Sequence, residues 1–316
     1  MMEVLACRGE HVETRHRVAA IAVRHSAEVL WQTPKAADYQ TYLRSSAKLW
    51  QAASGWALAA LQDIPQQALA VAASSHTGSM AHQHWVLFWL NHAGLDPSAL
   101  ACGIHPPLDR QERHRLLKND VPPAAVHNNC SGKHAAMLAS CIAHQWPTET
   151  YLSAEHPLQR AIFNALSPQA PIDYAIDGCG LPTAWMSMKQ IAMLYAQALD
   201  CPIRARILKA CLTYPVLAGG QDRLDTLLMQ ASHGQLYAKV GADGLIGVTR
   251  LGESTCGLAL KVLDGDESAR AVATLTLLQS LGWLKHEAAQ SVRQTLKLDK
   301  RVNWVGLDIG RWNISE

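Results

Sequence analysis

The chain has 316 residues, of which 49% are hydrophobic and 17% are charged, and its formal net charge is +2. This length and balance predict a folded protein with a large apolar core and exclude a disordered chain. The basic residues are scattered, so the chain lacks the positive surface that nucleic-acid binding needs. A small molecule or a peptide is the expected partner.

Other features of the sequence argue against a membrane protein and against a disulfide-rich secreted one. Residues 1–10 contain an early acid and no apolar signal segment, and no later apolar run is long enough to cross a bilayer. The eight cysteines include no C-x-x-C pair, and in a reducing compartment most act as buried small hydrophobes. We therefore expect a cytoplasmic protein with no membrane partner.

The first part of the chain changes from a strand pattern to a helix pattern at Ser45. Short apolar runs bounded by turn residues predict strands at 3–8, 18–24 and 28–32, arranged as an antiparallel meander. From Ser45 onward, apolar residues recur at helical spacing to about residue 62. Ser45 is therefore predicted to begin a helix.

Helices are predicted to dominate the middle of the chain. After a buried strand at 68–74, amphipathic spacing predicts helices at 82–93, 111–118, 133–144, 157–166, 189–199, 203–212 and 223–231. Later apolar runs predict strands at 234–240, 245–251 and 257–263, followed by a helix at 267–284.

The order of these elements predicts the α/β fold class. Both chain ends, about 1–42 and 233–316, supply strands to one antiparallel sheet that is covered by helices. The middle, about 43–232, forms an inserted helical subdomain. We expect a single domain over residues 1–316, because the sequence contains no repeat, low-complexity tract or long linker.

The run Arg44-Ser45-Ser46-Ala47-Lys48 contains the S-x-x-K pattern of a serine–lysine nucleophile. On a helix, residues i and i+3 share a face, so Lys48 is well placed to reach Ser45 and poorly placed to reach Ser46. A lysine takes the serine proton only if burial or a nearby cation, such as Arg44, lowers its pKa. Chance alone gives about one such match in a chain of this composition. The motif therefore needs support from other candidate site residues in the sequence.

Two further runs contain residues that could belong to the same site. Ser75 and His76 lie in a hydroxyl-rich loop between a predicted strand and a helix, where they either face a cleft or cap the helix. Lys239-Val240-Gly241 is similar to the K-[ST]-G strand that lies opposite an S-x-x-K nucleophile, although Val240 departs from that pattern. A solvated lysine at a strand end is the alternative interpretation of Lys239.

The stretch 127–134 has an unusually high density of polar and reactive side chains. Its sequence is His-Asn-Asn-Cys-Ser-Gly-Lys-His, and it lies immediately before an apolar helix. It brings a thiol, a lysine and a histidine into one turn, and Gly132 is expected to let the backbone approach a ligand closely. A second polar turn begins at Asp177, directly after a strand-like run. Asp177 is therefore a candidate for orienting a base or a substrate amine.

Cys130 and Cys179 lie far apart in the sequence but in similar settings. With Lys133 or His134 nearby, the two thiols suit a soft metal such as zinc. The same residue types also fit a buried thiol pair, or a nucleophilic arrangement of Cys130, His134 and Asp177. Their spacing leaves all three interpretations open.

Together these runs resemble the zinc-binding L-asparaginase II family of the rhizobial type. The resemblance spans nearly the whole chain, from Arg8-Gly9 to Arg301-Val302-Asn303, and it is most specific around Cys130 and Asp177-Gly178-Cys179. The fold of this family is similar to that of serine β-lactamases and glutaminases. That fold agrees with a sheet built from both chain ends around a helical middle.

The resemblance implies an L-asparaginase that hydrolyses a small-molecule amide, and we expect it to be a homodimer. It implies two serine–lysine pairs, Ser45 with Lys48 and Ser75 with Lys239. It implies an accessory zinc ion held by Cys130, Lys133 and Cys179. By the same matching, Asp177 and His134 are expected to contact the metal site or the ammonium and carboxylate groups of the substrate. We expect Arg44 and His76 to bind the substrate as well.

Two other functions are compatible with the same residues. A glutaminase, or another amidase, esterase or peptidase acting on a small substrate, would keep the fold and the nucleophile. A zinc-stabilised binding or sensor protein would keep the metal without turnover. The sensor has no need of paired serines and lysines, so we favour the hydrolase.

Overall fold

The computed structural model describes residues 2–315. The chain divides into two compact units. The sheet unit comprises Met1–Ser46, Met186–Gln197 and Asp222–Glu316, and the helical unit comprises Ala47–Trp185 and Ala198–Gln221. The prediction that the whole chain acts as a single domain stays a prediction.

The strands and helices are numbered in chain order. The strands are β1 (Glu3–Arg8), β2 (His11–Arg24), β3 (Val29–Gln32), β4 (Gln40–Tyr42), β5 (Tyr174–Ile176), β6 (Pro182–Ser187), β7 (Leu236–Val240), β8 (Leu245–Arg250), β9 (Cys256–Val262), β10 (Arg301–Val302), β11 (Asp308–Gly310) and β12 (Trp312–Ser315). The helices are α1 (Lys48–Ala53), α2 (Gln66–Ala72), α3 (Met80–His92), α4 (Arg110–Lys118), α5 (Ser131–Ala143), α6 (Pro157–Leu166), α7 (Met188–Ala196), α8 (Pro202–Thr213), α9 (Pro215–Ala218), α10 (Leu224–Ala231), α11 (Glu267–Ser280) and α12 (His286–Thr295). None of the helices between residues 2 and 315 is both long and apolar enough to cross a membrane.

The large sheet confirms the predicted α/β fold with strands from both chain ends. Its strand order is β12-β1-β2-β9-β8-β7, and β3 pairs with residues 21–23 of β2, on the edge that β1 leaves uncovered. All of these pairings are antiparallel. The first and last strands of the chain are neighbours, because Val4 of β1 lies opposite Ile314 of β12.

Helices cover the sheet, so the residues of its central strands are buried on both faces. Side chains alternate along a strand, and Leu236, Ala238 and Val240 of β7 join the core that also contains residues of α11 and α12. On the opposite face, α7 packs directly on the strands. A Cβ at Gly257 would lie 1.9 Å from the carbonyl oxygen of Ala192, so only glycine permits this close approach.

The helical unit is organised around α2, which contacts α3, α5 and α8. The close packing of α2 and α5 depends on Gly132. A Cβ at Gly132 would lie 2.5 Å from the carbonyl oxygen of Val71. The expectation that Gly132 admits a ligand is therefore wrong, because the space beside it is filled by the neighbouring helix.

Several predicted elements need correction. The run 68–74 was expected to be a buried strand, but it lies in α2; its alanine-rich sequence favours a helix, and burial on all sides removes the amphipathic period. The helix predicted to continue to about residue 62 ends at Ala53. Its C-cap Ser54 is extended, and Gly55 has a φ of +81°. The sequence analysis missed β6, α12 and the short C-terminal strands.

Two helices that were assigned to the inserted middle belong instead to the sheet unit. These are α7, within Met186–Gln197, and α10, which follows Asp222. Helix α7 packs on β2, β8 and β9, and α10 packs on β7. The helical subdomain is therefore shorter than the predicted range 43–232 and is interrupted by α7.

Candidate active site

Lys48 is the first residue of α1, and its side chain is fully buried. Its Nζ donates a hydrogen bond to the carbonyl oxygen of Asn129, at 3.2 Å. The same oxygen accepts the backbone N–H of His76, also at 3.2 Å. One carbonyl group thus joins α1, the loop after α2 and the segment before α5, all within the helical unit.

The segment before α5 is held in shape by Asn128. The Oδ1 atom of Asn128 accepts the backbone N–H of Cys130 at 2.8 Å, and its Nδ2 donates to the carbonyl oxygen of Cys102 at 2.9 Å. Cys130 is the N-cap residue of α5, where the positive end of the helix dipole favours a thiolate. The polar run that stood out in the sequence therefore places its thiol at a helix N-terminus.

Cys130 and Cys179 form a buried thiol pair beside Lys133. The hydrogen bond from Cys179, followed by the charges of Lys48 and Lys133, holds the pKa of Cys130 well below its ordinary value despite burial. The hydrogen bond to Cys130, together with burial, raises the pKa of Cys179. Cys130 therefore gives up its proton more readily than Cys179.

Lys133 lies beside the two sulfurs. Its Nζ donates to the Cys179 sulfur at 3.3 Å. Burial alone would lower the pKa of Lys133, but Cys179, Cys130 and Asp177 raise it above its ordinary value. Asp177 supplies its charge from a turn between β5 and β6, where its Oδ1 also accepts the backbone N–H of Gly178 at 2.7 Å.

The same residues define what a metal could use here. Within residues 2–315, no cluster of three or more His, Cys, Asp and Glu side chains could hold a metal ion. A zinc ion would therefore need the amine of Lys133 in addition to the thiols of Cys130 and Cys179. Two sulfurs and a nitrogen fit the preference of zinc, and a fourth position would be left for water or substrate. The amine would first have to lose its proton.

Both ring nitrogens of His76 are engaged. Its Nδ1 accepts the backbone N–H of Gly78 at 3.1 Å, and its Nε2 lies 3.0 Å from the Ser131 hydroxyl. That hydroxyl donates to the carbonyl oxygen of Val126, and the backbone N–H of Gly132 also points at His76 Nε2, at 3.3 Å. Burial, His82 and Lys48 keep the pKa of His76 well below its ordinary value. His76 is thus a neutral residue that fixes the loop.

Ser75 lies next to His76 in this loop and is buried, and its Oγ has no hydrogen-bond partner among residues 2–315. A buried polar atom without a partner is uncommon and often marks a functional position. The loop itself turns at Gly78, which has a φ of +75°. The prediction that this loop presents hydroxyls inward agrees with the burial of Ser75.

Within residues 2–315, the side chain of His134 makes one hydrogen bond, between its Nδ1 and the hydroxyl of Tyr151 at 2.7 Å. Its Nε2 is buried and has no partner in the described part of the chain. Burial, Lys133 and Lys48 lower the pKa of His134 well below its ordinary value, so the ring is neutral. Sequence reasoning identified His134 but missed Tyr151, which lies in a loop without any motif.

Ser45 lies in a 3₁₀ turn, Arg44–Ala47, that runs directly into α1. Ser45 is partly exposed, whereas Ser46 is buried and its hydroxyl donates to the carbonyl oxygen of Leu43 at 2.5 Å. Arg44 is paired with Asp243 of the sheet unit, and both have a positive φ, which is uncommon for residues other than glycine. Ser45 is therefore the serine of this run whose hydroxyl is not committed to the turn.

Lys239 is buried on β7 of the sheet unit. Its Nζ donates to Asp225 Oδ2 at 3.1 Å and to the carbonyl oxygen of Val240 at 3.2 Å. Asp225 is also buried, and the charges of Lys239 and Arg223 lower its pKa despite burial. The structure therefore excludes the solvated-lysine alternative, and it identifies Asp225 as a partner that the sequence analysis missed.

The helical unit thus gathers most of the predicted site residues. Electrostatic effects and hydrogen bonds link six of them there: Lys48, His76, Cys130, Lys133, His134 and Cys179. Ser45, Arg44 and Lys239 belong to the sheet unit. Their contribution to the same catalytic centre stays a prediction. The large surface cavities of the sheet unit, including one of about 850 Å³ beside Trp304, are lined by other residues.

The antiparallel sheet from both chain ends and the buried lysine–cysteine–histidine cluster define a mixed α/β protein with an enzyme-like polar centre. The model of one family, described as L-asparaginase II, matches residues 4–314. The chain therefore belongs to the L-asparaginase II family. It is an asparaginase-type amidohydrolase, and its substrate class is a small-molecule amide.

Two further comparisons add little. The chain is similar to a solved structure described as "Crystal Structure Analysis of Mglu", with 11% sequence identity and a TM-score of 0.36. The match covers 85% of this chain and 67% of the other. A likeness this low carries no argument about fold or function. A search of curated proteins found no match.

Proposed function

We propose that the protein hydrolyses the side-chain amide of L-asparagine to L-aspartate and ammonia, with Ser45 as nucleophile and Lys48 as general base. The observation that carries the proposal is the fully buried Lys48, which follows the partly exposed Ser45 by three residues along continuous helical backbone. In a 3₁₀ turn, side chains at i and i+3 are eclipsed. This spacing supports proton transfer from Ser45 to Lys48.

The proposed reaction has two halves. The Ser45 Oγ attacks the amide carbon and gives its proton to the amine of Lys48, which acts as a base only after its own proton has been released to solvent. The resulting ammonium returns that proton to the leaving nitrogen, the C–N bond breaks and ammonia departs, leaving an ester on Ser45. Water then attacks the ester carbon and gives a proton to Lys48. The bond between the carbonyl carbon and Ser45 Oγ breaks, Lys48 returns the proton to Oγ, and L-aspartate leaves.

Ser75 and Lys239 are proposed to assist proton movement. Support for Ser75 comes from its buried hydroxyl, which has no partner within residues 2–315 and is available to substrate or water. Support for Lys239 comes from the family resemblance, which pairs it with Ser75. Further support comes from its burial beside Asp225. This ion pair suits a source of positive charge near developing negative charge.

Substrate contacts are proposed for Arg44, His134 and Asp177, and a supporting role is proposed for His76. Asp177 is a carboxylate on an accessible turn and suits the substrate ammonium group. Arg44 suits the substrate carboxylate. His134 retains an unpartnered Nε2, whereas His76 has no free nitrogen and is proposed to act by holding the loop of Ser75.

Cys130, Cys179 and Lys133 are proposed to hold an accessory zinc ion. The donor set of two thiols and an amine supports zinc over a hard cation such as magnesium. Zinc bound there supplies positive charge that shapes the substrate pocket. The hydrolytic steps use only groups of the chain and the substrate.

The proposed active form is a cytoplasmic homodimer. Size-exclusion chromatography with light scattering would test whether the protein is a dimer.

A substrate panel tests the proposed function. Ammonia release should be measured from L-asparagine, L-glutamine and small amides, together with hydrolysis of small esters. We expect the highest kcat/KM for L-asparagine. A preference for L-glutamine or for an ester would replace this substrate assignment, and zinc binding without turnover of any compound would favour a sensor.

A further inference from the structure

Tyr151 is a buried tyrosine in the loop between α5 and α6 that lies outside every motif discussed above. Only 1% of its surface is exposed. Its hydroxyl accepts the backbone N–H of Ala101 at 3.0 Å, and its carbonyl oxygen accepts the side-chain amide of Gln159 at 2.8 Å. Both ends of the residue are therefore held in place.

The fixed hydroxyl lies against the ring of His134. The two rings meet edge to face, with centroids 5.5 Å apart and planes at 83°. The hydroxyl oxygen is 2.7 Å from His134 Nδ1. Burial raises the pKa of Tyr151 above its ordinary value, so the hydroxyl keeps its proton.

The direction of this hydrogen bond follows from counting satisfied groups. If Tyr151 donates to Nδ1, only the Nε2–H of His134 is left without a partner. If Nδ1–H donates to Tyr151, both the tyrosine proton and the Nε2 lone pair are left without partners. Buried groups without partners are costly, so the first arrangement is favoured. In this arrangement His134 carries its proton on Nε2.

The side of the ring that bears Nε2 is the side with an unused donor. His134 is fully buried. A buried N–H donor without a partner suits an oxygen acceptor, and an acceptor that carries negative charge makes the stronger hydrogen bond. In an amino-acid amide, that oxygen belongs to the α-carboxylate.

We propose that Tyr151 is a positioning residue that fixes the tautomer of His134, so that Nε2–H donates to the α-carboxylate of the substrate. The identity of the acceptor rests on the proposed function. The tautomer itself does not, because it follows from the contacts of Tyr151 in the protein alone. Tyr151 acts through His134 and touches no reacting atom.

Nitrogen-15 NMR of the histidine rings tests the tautomer directly. His134→Gln identifies the signals of His134 by their absence. In the wild type, we expect Nδ1 to show the shift of an unprotonated nitrogen and Nε2 that of a protonated one. In Tyr151→Phe, both shifts should move toward the average of the two tautomers. The opposite tautomer in the wild type overturns the proposal, even if Tyr151→Phe does not fold.

Kinetics test the consequence for the substrate. Tyr151→Phe should raise the KM for L-asparagine about tenfold with a smaller change in kcat, the scale of one lost hydrogen bond. Ser140→Ala is the matched control, because it deletes another buried hydroxyl, which donates to the carbonyl oxygen of Gly55. We expect wild-type KM in the control. Unchanged KM and ring shifts in Tyr151→Phe would overturn the proposal.

The two readouts separate this inference from the proposed function. If the wild type shows the expected ring shifts but hydrolyses no amide, the proposed function is wrong and the positioning role of Tyr151 stands. If the wild type is active and its His134 has the opposite tautomer, the positioning role is wrong and the proposed function stands.

Discussion

Lys48 Nζ and the carbonyl oxygen of Asn129 are joined by a hydrogen bond of 3.2 Å inside the helical unit. Asn129 immediately precedes Cys130, the N-cap of α5. The position of the lysine is therefore coupled to the start of the helix that also carries Lys133 and His134. Any change that displaces the N-terminus of α5 should disturb several site residues together.

Gly132→Ala should displace that N-terminus. The new Cβ would meet the Val71 backbone and side chain at 2.5 Å, and overpacking of this kind costs about 1–3 kcal/mol of unfolding free energy. Urea denaturation measures the loss, and turnover should fall as well. Gly178→Ala is the control, because its Cβ meets no atom within 4 Å. Wild-type stability in Gly132→Ala would contradict the close packing of α2 and α5.

The buried pair of Asp225 and Lys239 should be important for stability of the sheet unit. Asp225→Ala leaves the Lys239 ammonium buried without its carboxylate, a loss that typically costs about 3–5 kcal/mol. Glu155→Ala is the control, since it removes an exposed pair with Arg160 and should cost less than about 1 kcal/mol. Equal losses in the two variants would show that the buried pair contributes no special stability.

The sheet could be predicted because its strands carry local signals. β1, β8 and β9 are short apolar runs bounded by turn residues, and their predicted ranges differ from the observed ones by at most one residue at either end. Helix α2 was misassigned because its residues are apolar and mostly buried on every side. Such a run has no period from which a helix can be told from a strand.

The site was predictable only where residues share a motif. Cys130, Lys133 and His134 lie within one turn and were found together, and Cys179 was paired with Cys130 because the two lie in similar settings. Tyr151 contacts His134 from a loop 17 residues away, and no spacing rule predicts such a contact. The pairing of Lys239 with Asp225 was missed for the same reason.

His82 should make the stability of the protein depend on pH. Burial lowers the pKa of His82 from its ordinary value of 6.5 to about 4. The unfolded chain then binds a proton at His82 more readily than the folded chain does. As far as His82 is concerned, the folded state therefore has its full stability above pH 6.5 and loses stability as the pH falls toward 4. The loss amounts to roughly 3 kcal/mol.

Denaturation at neutral and acidic pH measures this effect. His82→Gln should show a smaller loss of unfolding free energy on acidification than the wild type. His114→Gln, which changes an exposed histidine on α4, should keep the wild-type pH dependence. An unchanged pH dependence in His82→Gln would show that His82 does not titrate in this range.

Zinc binding should depend on Cys130. Calorimetric titration of the metal-free wild type with zinc is expected to give one site per chain with release of protons, because thiols and the amine bind as their deprotonated forms. Cys130→Ser should lose most of the affinity. Cys141→Ser removes a buried thiol elsewhere on α5 and should bind zinc normally. Normal binding by both variants would exclude the proposed ligand set.

The proposed nucleophile is tested most directly by comparing Ser45→Ala with Ser46→Ala in the release of ammonia from L-asparagine. Loss of a catalytic nucleophile typically lowers kcat by about 1000-fold or more, so Ser45→Ala should be nearly inactive. Ser46→Ala should retain most of the activity, because its hydroxyl serves the local turn through Leu43. Wild-type turnover by Ser45→Ala would contradict the serine–lysine mechanism proposed for this family member.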